Sequence, residues 1–210
     1  MHGNEDAFLQ QISPFLGTYF ACLAVMNAIA AFYCWQRLQK NGLAIAWLVV
    51  GAVMLIMSPL AFGGMNGTPA LMKLIAVPQG IRDFVDGKLA NAFAYTAGTT
   101  VLLVILFVGR RFFVKPVVAW LMLNGALLLM GMSIVDPDFA SIVTKPDNVP
   151  IVAMVFLLGF FTWLAAHRAV INDDRVKQGL GPLEADDNEK VLVWPDLVYT
   201  ELICMVALTA

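Results

Sequence analysis

Two carboxylates in the last apolar segment are the residues best placed to carry proton chemistry. Asp196 follows the Trp194-Pro195 pair, and Glu201 lies about one and a half helical turns into the segment. Burying a lone acid in an apolar helix is costly, and such acids commonly mark proton pathways. Two interpretations of Glu201 therefore stay open, a structural carboxylate that faces protein or water, or a group that exchanges protons. Asp196 is expected in the first helical turn, where the macrodipole favours an acid.

Histidines decide whether the chain can hold a haem between helices, because b-type haem usually takes axial histidines that project inward. The sequence has two, His2 in the N-terminal tail and His167 beside Arg168 at the end of an apolar segment. Methionine ligation stays open, although methionine in apolar helices is ordinary packing. We expect no haem and no metal on this chain. The acids around Pro137 are expected to form a rigid solvated turn.

The composition indicates an integral membrane protein. Of the 210 residues, 60% are hydrophobic and 13% are charged, whereas soluble domains have about 25% charged residues. The net charge of −2 gives no electrostatic basis for binding nucleic acid. The apolar segments before residue 167 hold almost no charges, which disfavours a transporter. Several polar or small residues in these segments are expected to join helices, namely Asn27, Thr99, Thr100, Asn124, Gly125, Gly131 and Thr162.

Hydropathy predicts an all-α, polytopic membrane bundle with five full transmembrane helices and a sixth that is cut short. A spanning helix needs about 20 apolar residues. The last segment has roughly 15 residues beyond Pro195, which give about 22 Å of helix. It is expected to complete its crossing among partners or to continue in a longer protein. The five predicted spans are residues 15–35, 43–62, 92–108, 116–135 and 149–166.

The connections between spans carry predictions of their own. The turn at Asn41-Gly42 is tight, so the first two spans should form an antiparallel hairpin. Residues 63–91 form the long loop of the first half, and residues 79–93 are expected to be an amphipathic helix on the membrane surface. A charged tail from residue 172 to 190, which includes Asp187 and Glu189, precedes the last segment.

The cations set the expected orientation, with the N-terminus outside and residues 168–193 in the cytoplasm. In that arrangement nine cations face the cytoplasm and four face outward, as the positive-inside rule requires. The nine are Arg37, Lys40, Arg110, Arg111, Lys115, Arg168, Arg175, Lys177 and Lys190. The four are Lys73, Arg82, Lys88 and Lys145.

Residues 136–210 resemble the start of the C-terminal half of cytochrome b. A helix that opens with the run from Lys145 to Pro150, KPDNVP, is followed by a charged linker and then by Trp194-Pro195 at the head of the next helix. The segment is similar to split bacterial forms from menaquinol–cytochrome c reductases, which are related to subunit IV of the photosynthetic cytochrome complex. Residues 1–135 carry no such likeness and are interpreted as an added four-helix membrane module.

This resemblance implies a haem-free subunit of a bc-type quinol–cytochrome c oxidoreductase in a bacterial inner membrane. Haem b would sit on a separate cytochrome b N-terminal chain, and a Rieske iron–sulfur protein and a c-type cytochrome carrying haem c would be further partners. Menaquinone is the expected quinone. The alternatives are a membrane anchor that recruits redox partners and, with less support, a small-molecule transporter.

The resemblance also assigns the candidate site. In many cytochromes b an acid lies a few residues beyond the helix-opening proline, near the inner quinone site, and Glu201 occupies about that place. Thr200 stands where a lysine is often found. With Asp196, these residues form the candidate quinone-proximal or proton-handling set. The family's outer quinol-oxidation motif, Pro-Glu-Trp-Tyr, is absent from the sequence, so no complete active site is expected in this chain.

Overall fold

A computed structural model of the chain describes residues 2–186, 190 and 192–209, with side chains from residue 5 onward. Asp187, Glu189 and Ala210 lie outside the described residues. All regular structure in the described part is helical, which confirms the all-α prediction. The helices are α1 (His2–Gln36), α2 (Asn41–Phe62), α3 (Ala70–Lys73), α4 (Gln79–Phe84), α5 (Ala92–Val108), α6 (Arg110–Phe113), α7 (Pro116–Ser133), α8 (Pro137–Val143), α9 (Val149–Lys177), α10 (Leu183–Asp186) and α11 (Val198–Thr209), with π-helical turns at Val85–Leu89 and Val193–Leu197.

Within the described residues, four helices are long and apolar enough to cross a membrane. They are Glu5–Gln36 within α1, α2, α7 and α9. A fifth span arises only if the bent pair Gln79–Leu89 and Ala92–Val108 is counted as one, and that pair bends by 98°. The bend falls where Asn91 caps α5, its Oδ1 accepting from the Ala94 N–H at 2.8 Å. A helix therefore lies where the amphipathic segment was predicted, although it ends at Leu89.

The first two long helices form the predicted antiparallel hairpin. At one end the Ser13 hydroxyl donates to the Ala61 carbonyl at 2.7 Å, and the Ser58 hydroxyl donates to the Gly17 carbonyl at 2.8 Å. Midway along, a Cβ at Gly51 would lie 3.3 Å from the Ala24 carbonyl oxygen. Small residues thus let the two backbones approach, as is usual where helices pack in lipid.

The helix α7 packs across α1 through both apolar and polar contacts. A Cβ at Gly131 would lie 2.7 Å from the Tyr19 ring and 2.9 Å from the Phe20 ring, so the absence of a side chain allows the contact. The Tyr19 hydroxyl donates to the Leu127 carbonyl at 2.6 Å. The prediction of close packing is wrong for Gly125, whose Cβ position has nothing within 4 Å.

The loop 63–91 folds back onto the start of α1. Met72 of α3 is fully buried, and Gly64 leaves room for it, since a Cβ there would lie 2.4 Å from the Met72 sulfur. Lys73 forms an ion pair with Glu5 at 3.0 Å. The N-terminal region beyond the expected span is therefore part of the packed core and is held by the loop.

The chain divides into two compact units, residues 1–163 and 164–210. In the first, a cluster built on Leu16, Phe20, Met54 and Ile134 forms the main core. In the second, none of the described residues is buried. The division after residue 135 was predicted from the resemblance and stays a prediction.

Candidate functional site

Glu201 lies in the first turn of α11. The backbone is kinked at Trp194, which has non-helical angles, and the helical residues from Pro195 onward lead into α11. Near an N-terminus the exposed N–H groups and the macrodipole favour a carboxylate. Glu201 is exposed within the described chain. Its position suits a structural acid at a helix start and also leaves the group open to a partner or to water.

Asp196 and Thr200 shape the entry to this helix. The Asp196 Oδ2 accepts from the Leu192 N–H at 2.9 Å and so closes the turn that precedes α11. The Thr200 hydroxyl donates to the Asp196 carbonyl at 3.0 Å. Asp196 lies in the first turn of the helical segment that follows Trp194, as predicted, and its side chain turns back onto the backbone before that segment.

The structure brings Asp196 and Thr200 together but leaves Glu201 on another face. Residues four apart lie on the same side of a helix, whereas residues five apart are rotated by about 140°. The side chains of Asp196 and Glu201 therefore cannot both contact one small ligand without residues from outside this helix. If all three act on a quinone, they must do so with residues of a partner.

The charged linker is held by side chains at the end of α9. Asn172 donates through Nδ2 to Glu184 Oε2 at 2.8 Å, and its Oδ1 accepts from the Leu183 N–H at 2.9 Å. Arg175 reaches the Gly181 carbonyl at 2.7 Å and Asp186 Oδ2 at 2.5 Å. These contacts fold residues 181–186 back against the last turns of α9.

The groups around this linker change the pKa of Glu184. Hydrogen bonds from its own backbone N–H and from the Asn172 side chain lower the pKa of the Glu184 carboxyl, and the positive charges of Arg168 and Arg175 lower it further. Because these groups favour the ionised form, the linker contacts are strongest when Glu184 is charged.

The structure describes the side chain of one of the two histidines. His167 lies on α9 next to Arg168, in the unit that starts at residue 164, and the side chain of His2 lies outside the described ones. An axial pair needs two inward-facing ligands at matching depth. The expectation that this chain holds no haem stays a prediction.

A cluster of two buried amides joins α1 and α7 in the first unit. Asn27 Nδ2 donates to Asn124 Oδ1 at 2.6 Å, and the Trp120 indole donates to Asn27 Oδ1 at 3.3 Å. Asn27 Nδ2 also donates to the Leu23 carbonyl, and Asn124 Nδ2 donates to the Trp120 carbonyl. The prediction that Asn27 and Asn124 join helices is confirmed. That prediction is wrong for Thr99 and Thr100, whose hydroxyls donate to carbonyls of their own helix.

Sequence reasoning missed the ion pair of Arg82 and Asp136. Arg82 Nη1 lies 2.5 Å from Asp136 Oδ2, and both side chains are about one-quarter exposed. The other oxygen of Asp136 caps α8 by accepting from the N–H groups of Asp138 and Phe139. The expected turn at Asp136-Pro137-Asp138 is thus present. The signal in the sequence that could have indicated this pair was the predicted membrane orientation, which places both residues on the outer side.

Comparison with known proteins gives no relative. No family model, no curated protein and no solved structure matches the chain.

Proposed function

We propose that this chain is a haem-free membrane subunit of a bc-type quinol–cytochrome c oxidoreductase, working in respiratory electron transfer in a bacterial inner membrane. The resemblance of residues 136–210 to the start of the cytochrome b C-terminal half carries the proposal. The partners are a haem-bearing cytochrome b N-terminal chain, a Rieske iron–sulfur protein and a c-type cytochrome. Menaquinone is the proposed quinone.

The layout of the C-terminal region supports this proposal. The helix α9 has 29 residues, or about 43 Å, which exceeds the hydrocarbon core of about 30 Å. Its apolar part is followed by the polar end that carries Asn172 and Arg175 and holds the linker. Trp194-Pro195 then precedes α11. A helix, a charged linker and a Trp-Pro opening occur here in the order that the resemblance requires.

The proposed topology has five full spans with the N-terminus outside. The fifth is α5, whose 17 residues give about 26 Å of helix, and the preceding helical segment, which is bent away by 98°, lies along the membrane surface. The linker 168–193 is then cytoplasmic. The concentration of cations on that face supports this orientation.

In this proposal Glu201 handles protons at the inner quinone site. A quinone takes up two protons when partner subunits supply two electrons, and an exposed carboxyl group near the cytoplasmic surface is suited to pass them from water. Thr200 and Asp196 set the start of the helix that presents it. Thr200 and Asp196 position the start of the helix, and Glu201 transfers protons.

A two-stage experiment tests the proposal. The chain, tagged and purified gently from native membranes, should bring with it haem b, haem c and a Rieske cluster, together with quinol–cytochrome c reductase activity. In that complex Glu201→Gln should slow inner-site quinone turnover by about 100-fold, the lower end of what a positioned proton donor contributes. Asp147→Asn, which neutralises an exposed acid on the opposite predicted face, is the matched control.

The outcomes separate the alternatives. If the purified chain brings no redox partner, the subunit assignment fails. If the partners are present and Glu201→Gln leaves quinone kinetics unchanged, the chain is an anchor, and the proton-handling role is wrong. The anchor alternative has its own support in the first unit, where the packed α1–α2 hairpin and α7 provide a stable membrane platform.

A further inference from the structure

An open groove of about 580 Å³ runs along the α1–α2 hairpin beside its turn. Its walls are apolar and come from both helices: Ala28, Phe32 and Trp35 of α1, and Ala44, Ile45 and Leu48 of α2. From Ala28 to Trp35 the groove follows about 10 Å of helix. One leaflet of the hydrocarbon core is about 15 Å deep, so the groove follows most of a leaflet.

The hairpin turn next to the groove carries two positive charges. Trp35 and Asn41 line the end of the groove at this turn, and the turn between them carries Arg37 and Lys40, both exposed. The sequence has no acid between Asp6 and Asp83, so the hairpin itself offers these cations no carboxylate. A tryptophan at this level is typical of the boundary between lipid tails and head groups.

We propose that this groove binds one anionic diacyl phospholipid, with its phosphate between Arg37 and Lys40 and one acyl chain along Phe32 and Leu48. Charge complementarity selects the head group, since the turn that adjoins this apolar groove carries two exposed cations. Basic sites beside transmembrane helices on the cytoplasmic side typically take anionic lipids. The proposal rests on the membrane orientation proposed above and not on the assignment to a quinol–cytochrome c oxidoreductase.

Native mass spectrometry of the full chain in detergent tests the proposal. The probes are phosphatidylglycerol and phosphatidylcholine with identical acyl chains, titrated separately. Phosphatidylglycerol should bind more tightly. The double substitution Arg37→Gln/Lys40→Gln should weaken phosphatidylglycerol binding by about 30-fold, because each cation near an anionic head group contributes about fivefold. Phosphatidylcholine binding should change little.

Two matched controls locate the effect. Lys88→Gln/Lys145→Gln removes two exposed cations from the other predicted face and should leave phosphatidylglycerol binding unchanged. Ala28→Leu places a larger side chain in the groove, where Ala28 is exposed. It should weaken binding of both lipids, because the larger side chain fills space that an acyl chain would occupy. Val53→Leu, on an exposed part of α2 outside the groove, should have no effect.

Three results would overturn the proposal. Equal affinity for the two lipids in the unsubstituted chain would remove the head-group preference, and this comparison needs no variant. An unchanged affinity in Ala28→Leu would place the lipid outside the groove. Displacement of phosphatidylglycerol by a neutral isoprenoid quinone, with the Arg37→Gln/Lys40→Gln variant binding as before, would assign the groove to a quinone.

Discussion

The two compact units of the chain are stabilised in different ways. In residues 1–163 the helices α1, α2 and α7 bury large side chains such as Phe20 and Met54 together with a polar cluster at Asn27. In residues 164–210 none of the described residues is buried, and order comes from exposed hydrogen bonds and ion pairs. The first unit therefore has a core of its own, whereas the second offers its apolar residues to lipid or to a partner.

This contrast indicates where function and stability reside. Loss of a core contact in the first unit should lower the free energy of unfolding of that unit, because tight packing and satisfied polar groups drive helix association in lipid. Changes in α11 should leave stability almost unaltered and act on association or chemistry. Three predictions test that difference, and they are ordered by expected effect.

The largest effect is expected at the contact of α7 with α1. Gly131→Leu would drive a side chain into the rings of Tyr19 and Phe20, which lie 2.7 and 2.9 Å from a Cβ at that position. Overpacking of this kind costs about 3 kcal/mol. The measurement is the free energy of unfolding in mixed detergent micelles titrated with a denaturing detergent.

Gly125→Leu is the matched control on the same helix. Nothing lies within 4 Å of its Cβ position, and replacing a helical glycine improves helix propensity by up to about 1 kcal/mol. We expect an unchanged or slightly higher stability. Equal losses in the two variants would mean that α7 does not pack on α1 through Gly131.

The second prediction concerns the buried amide cluster. Asn27→Leu leaves the Asn124 carbonyl oxygen and the Trp120 indole without their partner. An unsatisfied buried group costs about 1–2 kcal/mol. The exposed Thr200→Val of the second unit should change the free energy of unfolding by less than about 0.5 kcal/mol.

A double substitution makes this test specific. Asn27→Leu/Asn124→Leu removes both amides, so its cost should be smaller than the sum of the two single costs. Additive losses would show that the two side chains do not interact, and the cluster would then be incidental to the packing of α1 and α7.

The sequence was sufficient to predict the elements and insufficient to predict their contacts. Apolar length and the tight turn at Asn41-Gly42 predicted the α1–α2 hairpin, because hydropathy and loop length act locally. The packing of Met72 under Gly64 depends on the path of a whole loop, which no local pattern encodes. Thr99 and Thr100 show the same limit, since a hydroxyl satisfied by its own helix and one that joins two helices look alike in sequence.

The candidate site was predicted less well than the fold. The carboxylates were found, because acids in an apolar segment are conspicuous, and Asp196 lies in the first turn after Trp194, as predicted. The contact that Asp196 makes was not predicted, since its Oδ2 accepts from the Leu192 N–H. A short polar side chain that bonds to nearby backbone and one that faces a ligand look alike in sequence.

The smallest predicted effect is a pH dependence of the folded linker, which belongs to the second unit. The pKa of Glu184 is lowered from the ordinary value of 4.5, first by its own backbone N–H and then by Asn172. The folded linker is therefore favoured above pH 4.5, and that contribution is lost as the pH falls through the lower folded pKa. A carboxyl-carbon NMR titration of Glu184 should show a midpoint below 4.5.

Asn172→Ala should move this midpoint upward, because it removes the side-chain donor to the carboxylate. Asn148→Ala removes an asparagine whose side chain donates to the Ile142 carbonyl, and it should leave the midpoint in place. The free energy of unfolding of the first unit should stay constant across the same titration if its core is independent of the linker. A parallel loss of stability in that unit would show that the two are coupled, and the contrast between them would then be wrong.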